Sequence, residues 1–210
     1  MSQNIKNILF DLGGVIITLN KQEALNRFTA IGFPNIEDYL GEFRQEGIFL
    51  EYEEGKINPE NFYKEFRRLA GNENIPSKDI DNGWLGFLVG IPPYKFELLK
   101  ELRKKYNVYL LSNTNPSVWE WASTKDFSPE GLPIQSYFDK CYVSFEIGHA
   151  KPDREIFDFI IADSGMIPSE TLFLDDGKAN IEIGKEIGFV TYQANQTEDL
   201  RKVFTDRGLL

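Results

Sequence analysis

Five short runs rich in β-branched or aromatic residues constrain this chain more than any other feature: Asn7 to Phe10, Val108 to Leu111, Lys140 to Phe145, Thr171 to Leu174 and Phe189 to Gln193. Each has the length of one strand, and helical patterns separate the last four, the alternation of a parallel sheet with crossover helices. Three of these helices carry clear punctuation. Pro92-Pro93 precedes a stretch with Phe96, Leu99 and Leu102 on one face and Lys104-Lys105 in its last turn. Pro152 stands at the first helical position ahead of Ile156, Phe157, Ile160 and Ile161, with Gly165 past the end. Asn180 to Ile187 gives a third helix, stopped by Gly188. The fold class this predicts is α/β, with a Rossmann-like parallel sheet.

The interval from Thr18 to Gly90 breaks the alternation. It shows no convincing strand but has helical patterns over Lys21 to Ala30, Pro59 to Ala70 and Lys78 to Leu88. Inserted after the first strand, it emerges at the carboxyl edge of the sheet, where open α/β sheets bind ligands. The expected organisation is an α/β core of residues 1–17 and 91–210 with a helical cap of residues 18–90. No internal repeat argues for a solenoid.

Charge narrows the partners. With 33 acidic against 23 basic residues the net charge is −10, and the basic clusters are confined to Arg67-Arg68 and Arg103-Lys104-Lys105. That excludes the clustered cations a nucleic-acid or anionic-membrane binder needs. Cys141 is the sole cysteine, which rules out an intramolecular disulfide and disfavours a cysteine zinc site. Met1 to Lys6 lacks the basic flank and apolar core of a signal peptide, and the apolar stretch from Ile8 to Leu19 is interrupted by Asp11 and glycines and is too short for a span. The expectation is a cytoplasmic protein with a small-molecule partner, as a monomer or small homo-oligomer.

Four polar features close predicted strands or the loops after them: Asp11, Ser112-Asn113-Thr114, Lys151 and Asp175-Asp176. In a parallel sheet these ends share one edge, so residues far apart in sequence converge. Three carboxylates in one place stay ionised only beside a cation, and an all-oxygen set with few protein ligands suits Mg²⁺. Asp11 then serves as ligand and nucleophile, Gly13 and Gly14 let the backbone turn and present amides to an anion, and Ser112, Asn113 and Lys151 supply donors to a phosphoryl group. Taken singly, each feature has a plainer reading. Asp-x-Gly-Gly is a turn, Ser-Asn-Thr caps a helix before Pro116, Lys151-Pro152 is surface, and Asp175-Asp176 opens a helix at the favourable end of its dipole. Their order and joint placement favour a metal-assisted phosphoryl-transfer site.

The stretches Phe10-Asp11-Leu12-Gly13-Gly14-Val15, Leu111-Ser112-Asn113-Thr114, Lys151-Pro152-Asp153 and Phe173-Leu174-Asp175-Asp176 with Asn180 resemble the four ordered motifs of the haloacid dehalogenase-like (HAD) hydrolases, over residues 7–194. The insertion at Thr18 to Gly90 matches the place of that family's C1 helical cap in subfamily I. Phe49 to Ile57 and Ser112-Asn113-Thr114-Asn115 are similar to the sugar-phosphate phosphatase branch, notably the alpha-D-glucose-1-phosphate phosphatases. The resemblance implies an Mg²⁺-dependent phosphatase of a small phosphate monoester, a sugar phosphate among the candidates. It implies Asp11 as nucleophile and metal ligand, the Gly13 carbonyl and Asp176 as further ligands, and Asp175 outer-sphere or paired with Lys151, with Asn180 behind them. Leu12, Gly13, Ser112, Asn113 and Lys151 would hold the phosphate.

One position departs from the family. Most of its phosphatases carry a second aspartate two residues after the nucleophile, to protonate the leaving group, and here that residue is Gly13. Loss of such a group typically costs roughly 10²- to 10⁴-fold. Three readings stand: a leaving group that needs little help, such as an anomeric hydroxyl; a donor elsewhere; or a degenerate HAD-fold binding protein with little activity. His149, the sole histidine, is the obvious donor near Lys151, although a lone histidine is more often a surface residue. A 2-haloacid dehalogenase would also use Asp11 but has no need for Asp175-Asp176, and a receiver domain would place its Asp pair early. Asn20, Phe43, Phe49, Tyr52 and Trp84 are the insertion's candidates for facing the site, each equally readable as core.

Overall fold

The structure, a computed structural model, describes residues 4–41 and 45–210. Its centre is a five-stranded, all-parallel sheet in the order β5-β4-β1-β6-β7. Here β1 is Asn7–Phe10, β4 Asn107–Ser112, β5 Lys140–Val143, β6 Thr171–Asp175 and β7 Val190–Gln193. The first strand is the middle one. The chain builds outward through β4 and β5, then crosses back to lay β6 and β7 on the other side. The carboxyl end of β1, between β4 and β6, is therefore the topological switch point at which such sheets bind ligands.

The core strands were readable because they are covered on both faces, so their apolar runs are nearly continuous. Successive side chains alternate between two clusters. Ile8, Phe10, Val108, Leu110, Leu172 and Leu174 join α5 (Pro93–Leu102) and α10 (Leu200–Asp206) on one face. Leu9, Leu111 and Phe173 join α8 (Arg154–Ser164) and α9 (Lys178–Ile187) on the other.

Between β1 and α5 lies a helical insertion with an aromatic core of its own. It comprises α1 (Lys21–Ala30), α2 (Gly47–Glu53), α3 (Pro59–Ala70) and α4 (Ser77–Leu85). Phe28, Phe33, Phe49, Tyr52, Phe62, Phe66 and Trp84 form one buried cluster, with Tyr52 stacked on Phe62 at 4.0 Å between ring centroids. Val118, from α6 (Pro116–Ala122), closes that cluster from the sheet side. Hydrogen bonds cross the same boundary. Tyr52 Oη meets Ser117 Oγ at 3.0 Å, and Ser117 Oγ donates to Asp81 at 2.6 Å.

Several expectations need correction. The insertion does contain strands: β2 (Thr18–Leu19) pairs antiparallel with β3 (Leu88–Gly90), forming the two-stranded neck through which the chain leaves and re-enters. Two and three residues are too few to show a period. The α2 helix has no side-chain N-cap and starts on Gly47, so it lacks a start signal and is held by burial of Phe49 and Tyr52. The last helix of the insertion runs from Ser77 to Leu85, not to Leu88, because Leu88 enters β3. β5 stops at Val143, and Ser144–Ile147 forms a one-turn helix, α7. Pro152 does not begin a helix. The Lys151–Pro152 peptide is cis, α8 starts at Arg154 after Asp153, and the Lys151 backbone is held on both sides by Asn113. Among the described residues no helix is long and apolar enough to cross a membrane.

Candidate active site

The four polar features meet at the switch point. Asp11 leaves β1 with its N–H bonded to the Leu174 carbonyl of β6 at 2.9 Å. Ser112 ends β4 and Asp175 ends β6. Lys151, 1% exposed, reaches under them from the loop before α8. Its Nζ lies 2.9 Å from Asp11 Oδ1, 2.6 Å from Asp175 Oδ2 and 3.0 Å from the Leu111 carbonyl. Three acceptors thus satisfy the three protons of an ammonium. Burial opposes the charge, but Asp11 and Asp175 more than offset it and hold Lys151 protonated, at about 12.

Asp175 is fully committed to protein. Its second oxygen accepts from the Gly177 N–H at 2.8 Å and from Asn180 Nδ2 at 2.9 Å, fixing the start of α9. Asp11 and Asp176 remain. Desolvation pushes the Asp11 carboxyl up to about 8; Lys151 pulls it down, and Asp175 and Asp176 push it up further. Desolvation and the neighbouring Asp175 raise Asp176 to about 6. Carboxylate oxygens of Asp11, Asp175 and Asp176 lie within 4.8 Å of one another. With all three carboxylates ionised, one ammonium leaves 1 − 3 = −2, the deficit that one divalent cation cancels, and the donors are the hard oxygens such an ion prefers.

The turn after Asp11 is shaped by what surrounds it. Gly14 has φ 70°, and a Cβ there would lie 1.9 Å from Asp176 Oδ2, so Asp176 occupies the place of a side chain. At Gly13 a Cβ would lie 2.8 Å from Leu19 Cδ1. A side chain at position 13 would therefore have to displace the end of Leu19, a residue of β2. Lys95, buried on α5, pins the turn by donating to the Val15 carbonyl at 2.5 Å. The Gly13 carbonyl takes up no hydrogen bond from the described residues.

Two expected phosphate contacts turn out to have other work. The Leu12 N–H points at Asp11 Oδ1, 2.7 Å away, and orients the carboxylate. The Asn113 side chain clamps the Lys151 backbone at both ends, donating to its carbonyl and accepting from its N–H, each at 2.8 Å. That leaves only the Asn113 main-chain N–H for an anion. No local signal could reveal a clamp between residues 38 positions apart. Ser112 Oγ, with one long contact of 3.3 Å to the Asn113 carbonyl, lines the cleft as expected.

A cleft of about 530 Å³ opens above these groups, in the size range of small-molecule sites. Of the insertion's candidates, Trp84 lines it. Asn20 instead caps α1 by accepting from the Glu23 N–H, and Phe49 and Tyr52 are core. Phe43 lies outside the described residues. His149 is exposed and does not line the cleft. Gln45, Glu53, Phe87, Asn195 and Gln196 line it without having been singled out; only Glu53 had a signal, its place in the Phe49 to Ile57 segment.

A model of the haloacid dehalogenase-like hydrolase family matches residues 5–188. The chain belongs to that family. It is 47% identical over 201 residues to a D-ribitol-5-phosphate phosphatase of Bacteroides thetaiotaomicron, covering 96% of this chain and 97% of the relative. A predicted HAD-like hydrolase from Porphyromonas gingivalis superposes with a TM-score of 0.92 at 43% identity, over 97% of each chain. A HAD family enzyme from B. thetaiotaomicron, solved with magnesium and inorganic phosphate, superposes with a TM-score of 0.88 at 43% identity, over 95% of this chain and 99% of that one.

Proposed function

We propose that this hydrolase is an Mg²⁺-dependent phosphatase of a small hydroxylated phosphate ester, a polyol or sugar phosphate, acting through an aspartyl-phosphate on Asp11. The observation that carries it is the charge deficit of two at Asp11, Asp175, Asp176 and Lys151, set at the switch point beneath an open cleft. The magnesium and phosphate held by the similar B. thetaiotaomicron enzyme, and the activity named for the D-ribitol-5-phosphate phosphatase, support the same reading.

Asp11 Oδ1 is held by Leu12 and Lys151, and Oδ2 accepts from none of the described residues. Oδ2 attacks phosphorus, the ester P–O bond breaks, and the leaving alkoxide takes a proton from water in the cleft. Water then attacks the same phosphorus, releasing inorganic phosphate and restoring Asp11. Ser112 Oγ and the Asn113 and Gly13 N–H groups are left to serve the transferring oxygens, where preformed donors are most effective, with the Lys151 charge held behind Asp11. Asp11, Asp176 and the Gly13 carbonyl would hold Mg²⁺, which when bound neutralises developing charge on the phosphoryl group.

Residues 18–90 act as a cap that closes over the alcohol portion and excludes water, as a cytoplasmic enzyme on a diffusing metabolite requires. The net charge of −10 makes nucleic acid or an anionic membrane a poor partner, and a monomer or small homo-oligomer suffices because the cleft is built from one chain. Ribitol 5-phosphate is an ester of a primary alcohol, so the reading in which an easily departing anomeric hydroxyl excuses Gly13 gains nothing from this relative. The test is phosphate release from D-ribitol 5-phosphate, other polyol phosphates and sugar 1- and 6-phosphates, with Mg²⁺ and with chelator. Turnover that collapses on chelation is expected. Chelator-resistant release contradicts the site, and no release from any ester favours the binding protein.

Two further outcomes follow from the geometry. Ligand carboxylates must be ionised to take a cation. Mg²⁺ is therefore expected to raise the unfolding midpoint more at about pH 8.5 than at about pH 5.5, with Asp11 near 8 and Asp176 near 6 in the metal-free protein. A shift independent of pH would place the ion elsewhere. Gly14→Ala forces a Cβ against Asp176 Oδ2 and strains a left-handed residue. It is expected to weaken Mg²⁺ roughly 10- to 100-fold, by analogy with lost supporting contacts around metals. Titration calorimetry that finds wild-type affinity would show that Asp176 is not a ligand.

A further inference from the structure

The buried polar atoms of the insertion point to how the alcohol portion is recognised. Among the described residues, two buried side-chain polar atoms have no partner: the indole N–H of Trp84 and the amide oxygen of Gln45. Both residues line the cleft above Asp11. Trp84 is 2% exposed on α4, so its N–H cannot turn to bulk solvent for an acceptor. A third polar group, Glu53 at the end of α2, is 6% exposed and lines the same cleft. A carboxylate has about four acceptor sites, so Glu53 can serve a ligand as well as its protein contacts.

A donor and acceptors lining one cleft match hydroxyls, each of which both donates and accepts. The same cleft is also lined by the apolar side chains of Leu12, Ile17, Leu19 and Leu88, which suit a carbon chain. We propose that Trp84, Gln45 and Glu53 read the hydroxyls of the substrate's alcohol portion, selecting a polyhydroxylated chain over an alkyl chain of the same length. This inference rests on the phosphatase reading and names its substrate class. Sites that hydrogen-bond a hydroxyl discriminate strongly against analogues lacking it, because their own polar groups are then stranded.

The test compares kcat/KM for the best polyol or sugar phosphate of the panel with that for n-pentyl phosphate, in wild type, Trp84→Phe and Glu53→Gln, with Mg²⁺ present. Wild type is expected to favour the hydroxylated ester by roughly 10²-fold or more. Trp84→Phe should lower kcat/KM on that ester roughly tenfold, the worth of a neutral hydrogen bond, and Glu53→Gln roughly 10- to 100-fold. Both should leave n-pentyl phosphate within about twofold of wild type, as expected when only hydroxyl contacts are lost. Phenylalanine keeps the ring contacts of Trp84 with Phe28, Phe49, Phe62 and Phe87, and an unchanged unfolding midpoint checks that the fold survives. Equal losses on both esters, or none on either, overturn the inference and leave the phosphatase standing. A wild type inert towards every ester overturns the phosphatase reading itself.

Discussion

Asp11→Asn is expected to slow phosphate release from the best ester by roughly 10⁴-fold or more, the scale on which removing a nucleophile acts. Asparagine keeps the shape of the side chain and an oxygen for the Leu12 N–H and Lys151, but its amide cannot form the phosphoenzyme. The fold should not suffer. Burial first, then Asp175 and Asp176 against the pull of Lys151, raise the Asp11 pKa to about 8. A group raised in the folded state contributes stability that is complete below its unfolded pKa, about 3.9 for Asp, and lost as pH rises through the folded value. The metal-free wild type should lose this contribution between about pH 4 and pH 8, whereas asparagine, which does not titrate, should not. Unfolding midpoints of both metal-free proteins across that range measure the difference. Undiminished turnover in Asp11→Asn would remove the aspartyl-phosphate from the mechanism.

What the sequence disclosed and what it hid follow from where each signal resides. The strands of the sheet are buried on both faces, so Asn7–Phe10 and Thr171–Leu174 announce themselves as unbroken apolar runs, and the polar residues that end them fall on one edge by topology alone. Elements stabilised only by contacts with distant residues left no trace. The β2–β3 neck is too short for periodicity, and α2 begins on a glycine without a cap. The Asn113–Lys151 clamp joins two loops whose proximity is set by the sheet order. Gly13 was conspicuous as a missing carboxylate, but its neighbour was not. Leu19 lies on a strand of two residues, and its contact with Gly13 depends on that strand folding back across the turn. With glycine at position 13, a donor for the leaving group has to come from elsewhere in the cleft.

Lys151→Met should be the most damaging change outside the nucleophile, because it strands charge rather than removing a contact. Methionine approximates the volume of the lysine stem but leaves Asp11 and the fully buried Asp175 without their shared cation. Breaking a buried pair by deleting one partner costs about 3–5 kcal/mol, since the surviving charge is uncompensated. Two carboxylates compete for this one ammonium, so the upper part of that range applies. Lys151 is held above the ordinary lysine value, so its contribution is complete below the unfolded pKa, about 10.4, and is lost only as pH rises through about 12. The deficit therefore spans the neutral range. It should shrink as pH falls below about 8, where Asp11 takes up a proton and no longer needs a cation. Urea unfolding of both proteins at about pH 8 and pH 4.5 reads this directly; the slope with denaturant should stay constant while the midpoint falls. Activity should fall by roughly 10³-fold, because the same ammonium orients Asp11 and places a positive charge beside the attacking carboxylate. A variant equally destabilised at both pH values would mean that Lys151 supports the fold through packing and that the cluster balances its charge by another route.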